Sequence, residues 1–247
     1  MREDTVFGPI FSRRLGSSLG INLLPRKGKI CNFDCIYCEC GWNADGRGDT
    51  VLPTAAEVRT ALESKLRECR DGGVNIDSIT FSGDGEPTLN PAFPEIIDLT
   101  LALRDKYYPG AKVSVLSNAT SLERPGVFDA LRKVDNPILK LDAATDEDVR
   151  RINQPIGNYS VDEVVRNLER FNGDFILQTM FLRTPDWDSA SMVPAWMDIV
   201  RALRPREIMV YTIDRETPMK GLSKYTPEGM RALVAPLINE GFNIQIR

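Results

Sequence analysis

Strand-like and helix-like stretches alternate along nearly the whole chain, and this alternation limits the fold more than any other feature. Residues 18–24, 78–82, 113–117, 138–141, 175–181 and 207–211 read as strands, and 242–246 as a possible extra one at the C-terminus. Between them lie helical patterns. The helix over 54–70 opens on a Thr54-x-x-Glu57 capping box and puts Val58, Leu62, Leu66 and Cys69 on one face. Asn90 caps a second, with Pro91 at its first position and Phe93, Ile96, Ile97 and Leu101 as its apolar stripe. A short helix follows at 127–133. Ser160-x-x-Glu163 opens another, carrying Val161, Val164, Val165 and Leu168 inward, and Pro194 fits the first turn of one over 191–203. Thr226-Pro227 starts the last, with Met230, Leu233, Val234 and Leu237 in register. Six such βα units demand a parallel sheet with right-handed crossovers. The pattern alone suits a partial barrel and an open doubly wound sheet equally.

Composition removes several chemistries. The chain has no histidine among its 247 residues, which excludes Ser-His-Asp triads, Cys-His nucleophiles and His-based zinc hydrolysis. A net charge of −4 argues against nucleic-acid binding driven by a broad basic field. Five cysteines are too few for a disulfide scaffold, the opening MREDTVFGPIFS has no apolar core like that of a signal peptide, and no stretch is long enough to cross a membrane. The expectation is a cytoplasmic protein with no membrane partner. No Gly/Ser linker or repeat divides the chain, so one domain over 1–247 is expected, with 1–17 as an N-terminal extension and 240–247 supplying the terminal strand.

Three of the five cysteines sit in CNFDCIYC: Cys31, Cys35 and Cys38, spaced Cys-x3-Cys-x2-Cys. Thiolate is the soft ligand that selects zinc or an iron–sulfur cluster. A closed zinc site needs a fourth ligand, for which Cys40 is available. Cys69, on an apolar helix face, reads as core.

Cys-x3-Cys-x-aromatic-Cys, with Tyr37 before the last cysteine, resembles the signature of the radical S-adenosylmethionine (radical SAM) superfamily. The resemblance implies an α/β fold of the partial TIM-like (βα)6 barrel type, with the cysteine loop after the first strand. It implies that Cys31, Cys35 and Cys38 hold a 4Fe–4S cluster whose open iron chelates SAM. One electron from a flavodoxin- or ferredoxin-type donor then cleaves SAM to methionine and a 5′-deoxyadenosyl radical, which abstracts hydrogen from a substrate. Gly83-Asp84-Gly85-Glu86-Pro87, after the second strand, resembles the family's Gly-Gly-Glu-Pro stretch that binds the SAM amino group, with Asp84 in place of a glycine. Either Asp84 or Glu86 is then the carboxylate that meets the ammonium. By the same likeness Tyr37 contacts adenine, Ser117 and Asn118 touch the SAM ribose or carboxylate, and Asp142 contacts ribose or substrate.

Three further segments fall where such a barrel opens: Ser12-Arg13-Arg14, residues 150–155 (RRINQP) and residues 211–218 (YTIDRETP). Arg13, Arg14, Arg151, Asn153, Tyr211, Asp214 and Arg215 are the substrate candidates there. Arginine's planar fork suits phosphate or carboxylate, which points to an anionic substrate such as a tRNA base or a phosphorylated metabolite. The flanks FGPIFSRRLGSSLGINLLPRKGKI, GDGEPTLNP and YTIDRETP resemble a stand-alone branch similar to tRNA wyosine-base synthases. Those synthases use a second cluster or cofactor module, for which no second cysteine set exists here. A small molecule, a tRNA and a protein all remain open as substrate. A protein-radical (glycyl radical) activase is the rival enzyme, and a non-enzymatic iron–sulfur or zinc module is the rival of another class.

Overall fold

The computed structural model describes residues 4–12, 15–46 and 48–247. The chain divides into two compact units: Met1–Cys31, Asn43–Ser117 and Ser121–Pro137 form one, and Asn32–Trp42, Asn118–Thr120 and Ile138–Arg247 the other.

In the first unit, β1 (Val6–Ser12) and β2 (Gly16–Ile21) form an antiparallel hairpin. The 1–17 extension thus contributes a strand that its Gly8-Pro9 interruption had masked, and the pairing register shifts between Phe7 and Ile10. The Phe7 ring lies against Gly20 so closely that a Cβ there would collide with it. α1 (Ala55–Asp71) carries the expected capping box and buries Val58, Leu62, Leu66 and Cys69. β3 (Ser78–Phe81) pairs in parallel with β2 on one side and with β4 (Lys112–Ser117) on the other. α2 (Phe93–Tyr107) starts later than the Asn90-Pro91 pair suggests, because Pro87–Leu89 first makes a 3₁₀ turn and Ala92 becomes the N-cap. Asn90 fastens that turn instead. Its side chain accepts from the Ala92 N–H at 2.9 Å and donates to the Leu23 and Pro53 carbonyls at 3.1 and 3.0 Å. α3 (Val127–Lys133) follows where expected.

The second unit takes up the chain within β5 (Asn136–Lys140). An unforeseen α4 (Asp146–Ile152) comes next, capped by Thr145, with acidic residues in its first turn and Arg150 and Arg151 in its last, both favourable to the helix dipole. Ser160 is the N-cap of α5 (Val161–Glu169) but makes no side-chain cap bond; Asp146 accepts from the Val161 N–H at 2.7 Å in its place. β6 (Ile176–Met180) leads into a small antiparallel sheet made by β7 (Leu182–Thr184), β8 (Trp187–Asp188) and, later, β10 (Ser223–Lys224). α6 (Val193–Leu203) begins after a 3₁₀ turn at Ser189–Ser191 and carries Trp196, fully buried and edge-on to Phe181 at 5.7 Å. β9 (Glu207–Tyr211), α7 (Pro227–Asn239) and β11 (Ile244–Ile246) complete the unit, in which β5, β6, β9 and β11 pair in parallel in that order. Strands β2, β3 and β4 in the first unit and β5, β6, β9 and β11 in the second run parallel, which within each unit aligns the strand ends and the loops that follow them.

Candidate functional site

Cys35 and Cys38 lie on a loop whose shape is set by backbone bonds. The Asp34 N–H donates to the Asn153 carbonyl at 2.9 Å and the Ile36 N–H to the Ile152 carbonyl at 3.0 Å, while the Ile156 N–H donates back to the Asn32 carbonyl at 2.8 Å. Phe33 forms an antiparallel bridge with Pro155 and sets its ring edge-on to Tyr159 at 5.5 Å. Tight turns then close from the Cys38 N–H to the Cys35 carbonyl and from the Gly41 N–H to the Cys38 carbonyl, both at 3.0 Å. The RRINQP segment is therefore the edge against which the cysteine loop is built. Cys35 is buried, Cys38 and Cys40 are half-buried, and Cys69 is buried on α1 as expected. In the first unit Cys31 is half-buried, its carbonyl accepting from the Asn43 side chain at 3.1 Å.

Behind Cys35 is a closed polar cluster. Asn153 is 1 % exposed, and its Nδ2 lies 3.3 Å from Cys35 Sγ, 3.0 Å from the Tyr37 hydroxyl and 2.7 Å from Asp142 Oδ2. The Tyr37 hydroxyl donates to Asp142, whose other oxygen accepts from the Met180 N–H at 2.9 Å. Lys140, from β5, donates to the Tyr37 and Tyr211 hydroxyls at 3.1 and 2.8 Å, sits 3.5 Å from Asp142 and lies over both phenol rings. Burial works against the Lys140 charge, but Asp142, Tyr211 and Cys35 outweigh it and the ammonium is held charged. Burial pushes the Cys35 thiol up to about 11, Lys140 pulling the other way, and burial with Asp142 pushes Tyr37 well above the ordinary phenol range. Tyr37, Asp142 and Tyr211, predicted separately, thus meet around one ammonium, and Asn153 joins them through Tyr37 and Asp142. Lys140 itself escaped sequence reasoning, although a lysine between the apolar residues of ILKLD is the signal that would have found it.

The glycine-rich turn belongs to the first unit. Gly85, at φ +135°, pairs as a bridge with Ile30, and a Cβ on it would collide with the Ile30 carbonyl; one on Gly83 would meet the Asn22 amide. Asn22 Oδ1 accepts from the Asp84 N–H at 3.3 Å and from the Leu24 N–H at 3.1 Å. Glu86 is 2 % exposed, and its Oε1 accepts from the Thr88 N–H at 3.1 Å, the Thr88 hydroxyl at 2.6 Å and the Ser117 hydroxyl at 2.9 Å. Asp84 is buried as well. In the second unit Asn118 joins Asn32 and Thr120, donating to Asn32 Oδ1 at 2.6 Å and accepting from the Thr120 hydroxyl at 2.7 Å.

The arginines are placed differently. Arg151 donates to Asp186 at 3.1 Å, Arg215 pairs with Glu39 at 2.9 Å on the surface, and Asp214 is exposed. Arg13 and Arg14 lie outside the described residues.

Residues 26–181 match the Radical SAM superfamily. The chain belongs to that superfamily. A UPF0026 protein of Synechocystis sp. is 30% identical over 254 residues, covering 97% of this chain and 89% of that protein. Among solved structures, SuiB of Streptococcus suis bound to S-adenosylmethionine superposes with a TM-score of 0.64 at 17% identity over 90% of this chain. The present chain spans about half of SuiB, 49% of its length. A radical SAM methyltransferase from Sphaerobacter thermophilus gives a TM-score of 0.66 at 16% identity, covering 96% of this chain and 67% of that one. At these identities the likeness establishes the fold, the partial TIM-like barrel of radical SAM enzymes. As a member of the superfamily the protein is an enzyme that works with SAM and a 4Fe–4S cluster; radical SAM enzymes in general need an electron donor and a substrate. Among the described residues, no helix is long and apolar enough to cross a membrane.

The residues present fit those cofactors. In the second unit, Cys35 and Cys38 share a backbone-fixed loop and are the soft donors an iron–sulfur cluster takes, and a buried N–H already faces the Cys35 sulfur. Among the described residues, no three Cys, Asp, Glu or His side chains gather as a single metal ion requires.

Proposed function

We propose that Cys31, Cys35 and Cys38 hold the 4Fe–4S cluster of a cytoplasmic radical SAM enzyme, one domain over 1–247, that acts on an anionic substrate with a flavodoxin- or ferredoxin-type donor. When bound, the cluster and SAM supply a 5′-deoxyadenosyl radical that abstracts hydrogen from the substrate. The protein's part is to bind, orient and exclude water. One observation carries the assignment: Cys35 is a buried thiol on a loop whose backbone is already fixed, with an amide N–H aimed at its sulfur.

Glu86 is the carboxylate we assign to the SAM ammonium, because three donors fix its position. Ser117 then orients Glu86, Gly83 and Gly85 let the turn approach closely, and Asn118, Tyr37 and Asp142 contact the remainder of SAM. Asn153 and Tyr211 belong to the polar cluster of Lys140 and Asp142, whereas Arg151 and Arg215, with Asp214 next to the latter in sequence, supply the substrate end. Their surface carboxylate partners are weakly held and exchange for a substrate phosphate or carboxylate, of a tRNA base or a phosphorylated metabolite.

Anaerobic reconstitution tests this. The expected product is brown protein with about four iron and four sulfide per chain, cleaving SAM to 5′-deoxyadenosine under dithionite. Alanine at Cys31, Cys35 or Cys38 should abolish both properties, whereas Glu86→Ala should weaken SAM binding and keep the iron. Colourless protein carrying one zinc overturns the reading.

A further inference from the structure

Asn153 commits both backbone groups and its side-chain nitrogen. It ends α4, where its N–H donates to the Val149 carbonyl at 2.7 Å, and its own carbonyl accepts from Asp34 in the cysteine loop at 2.9 Å. The side-chain amide has two hydrogens for three neighbours: Asp142 Oδ2, the Tyr37 hydroxyl and Cys35 Sγ. Which end of the amide faces the sulfur is set by charge. Asp142 Oδ2 lies 2.7 Å away, and an amide oxygen placed there would meet a carboxylate oxygen. The carboxylate cannot turn away, because its other oxygen holds the Met180 N–H and Lys140 stands beside it. Asp142 thus fixes the amide with its nitrogen towards the sulfur.

We propose that Asn153 is a positioning residue for the cluster, donating an N–H···S hydrogen bond to Cys35 that makes the bound cluster easier to reduce. A donor facing a ligand sulfur favours the more electron-rich, reduced state and raises the potential. The inference rests on the proposed reading that Cys35 is a cluster ligand.

The test is an EPR-monitored redox titration of the reconstituted full-length protein. In Asn153→Ala the reduced-to-oxidised ratio at a given ambient potential should fall about tenfold, a midpoint lower by about 59 mV for one electron. Asn153→Asp keeps the shape without the N–H and should fall at least as far. Cys69→Ala, on the buried face of α1, should match the wild type. Iron-loaded Asn153 variants with an unchanged potential overturn the proposal. So does loss of the cluster from both variants, which would make Asn153 a structural requirement only. A wild-type protein that takes up no cluster, or a Cys35→Ala variant that keeps it, overturns the ligand assignment itself, and either result is read independently of the Asn153 series.

Discussion

Lys140 carries a charge inside a strand, and its neighbours make that tenable: two phenol oxygens accept its protons and one carboxylate balances it. Removing one side of a buried ion pair strands the other. Lys140→Met should therefore lower unfolding stability by about 3–5 kcal/mol, and adding Asp142→Asn should recover part of the loss; urea titrations of the two singles and the double measure the coupling. At Gly85 the constraint is steric. Gly85→Ala pushes a methyl into the Ile30 carbonyl and demands a left-handed backbone, so the variant should lose SAM affinity together with stability, whereas Gly110→Ala, with open space around it, should lose neither. At this scale the sequence was informative where chemistry is written in residue type. Cysteine spacing and the Gly-Asp-Gly-Glu run marked their segments. The partnership of Asn153 with Cys35 was not legible, because the two residues are 118 positions apart and meet only through the fold.

Helix and strand boundaries follow from local bonds. At the start of α1, Thr54 accepts from the Glu57 N–H and Glu57 accepts from the Thr54 N–H, so Thr54→Ala should cost about 1 kcal/mol in thermal or urea unfolding. The small sheet is tied down by Tyr225, whose hydroxyl donates to Asp188 and accepts from the Ala190 N–H at 3.2 Å, with the Arg183 guanidinium 3.8 Å above its ring. Burial, then Asp188, push the Tyr225 phenol up to about 12. The folded pKa exceeds that of the unfolded chain, so the contribution of Tyr225 is complete below pH ~10 and is lost as pH rises through about 12. The stability gap between wild type and Tyr225→Phe should narrow across that interval, as stopped-flow unfolding at stepped pH would show. α1 was readable in advance because its apolar period and its caps agree, and α3 and β9 were readable as apolar runs. β1, α4 and the two- and three-residue strands of the small sheet were not. The small strands are too short to show a period, and tertiary partners decide all of them.

For the molecule as a whole, the assigned roles separate cofactor chemistry from substrate capture. Arg151→Ala and Arg215→Ala should leave uncoupled SAM cleavage near the wild-type rate and suppress substrate-dependent turnover, measured as deuterium transfer into 5′-deoxyadenosine. Turnover surviving both changes would make these arginines ordinary surface charge. The order of manufacture adds a constraint of its own. Residues 34 and 36 take their backbone partners from 152–154, a segment the ribosome has not yet made when the cysteines emerge. The thiols therefore leave the tunnel on a loop without its supporting edge, exposed to stray metals and oxidants until more than half of the remaining chain has followed. Under the proposed ligand assignment, the loop that would receive iron gains its supporting edge only once residue 154 has been made, and until then its cysteines stand on an unsupported segment.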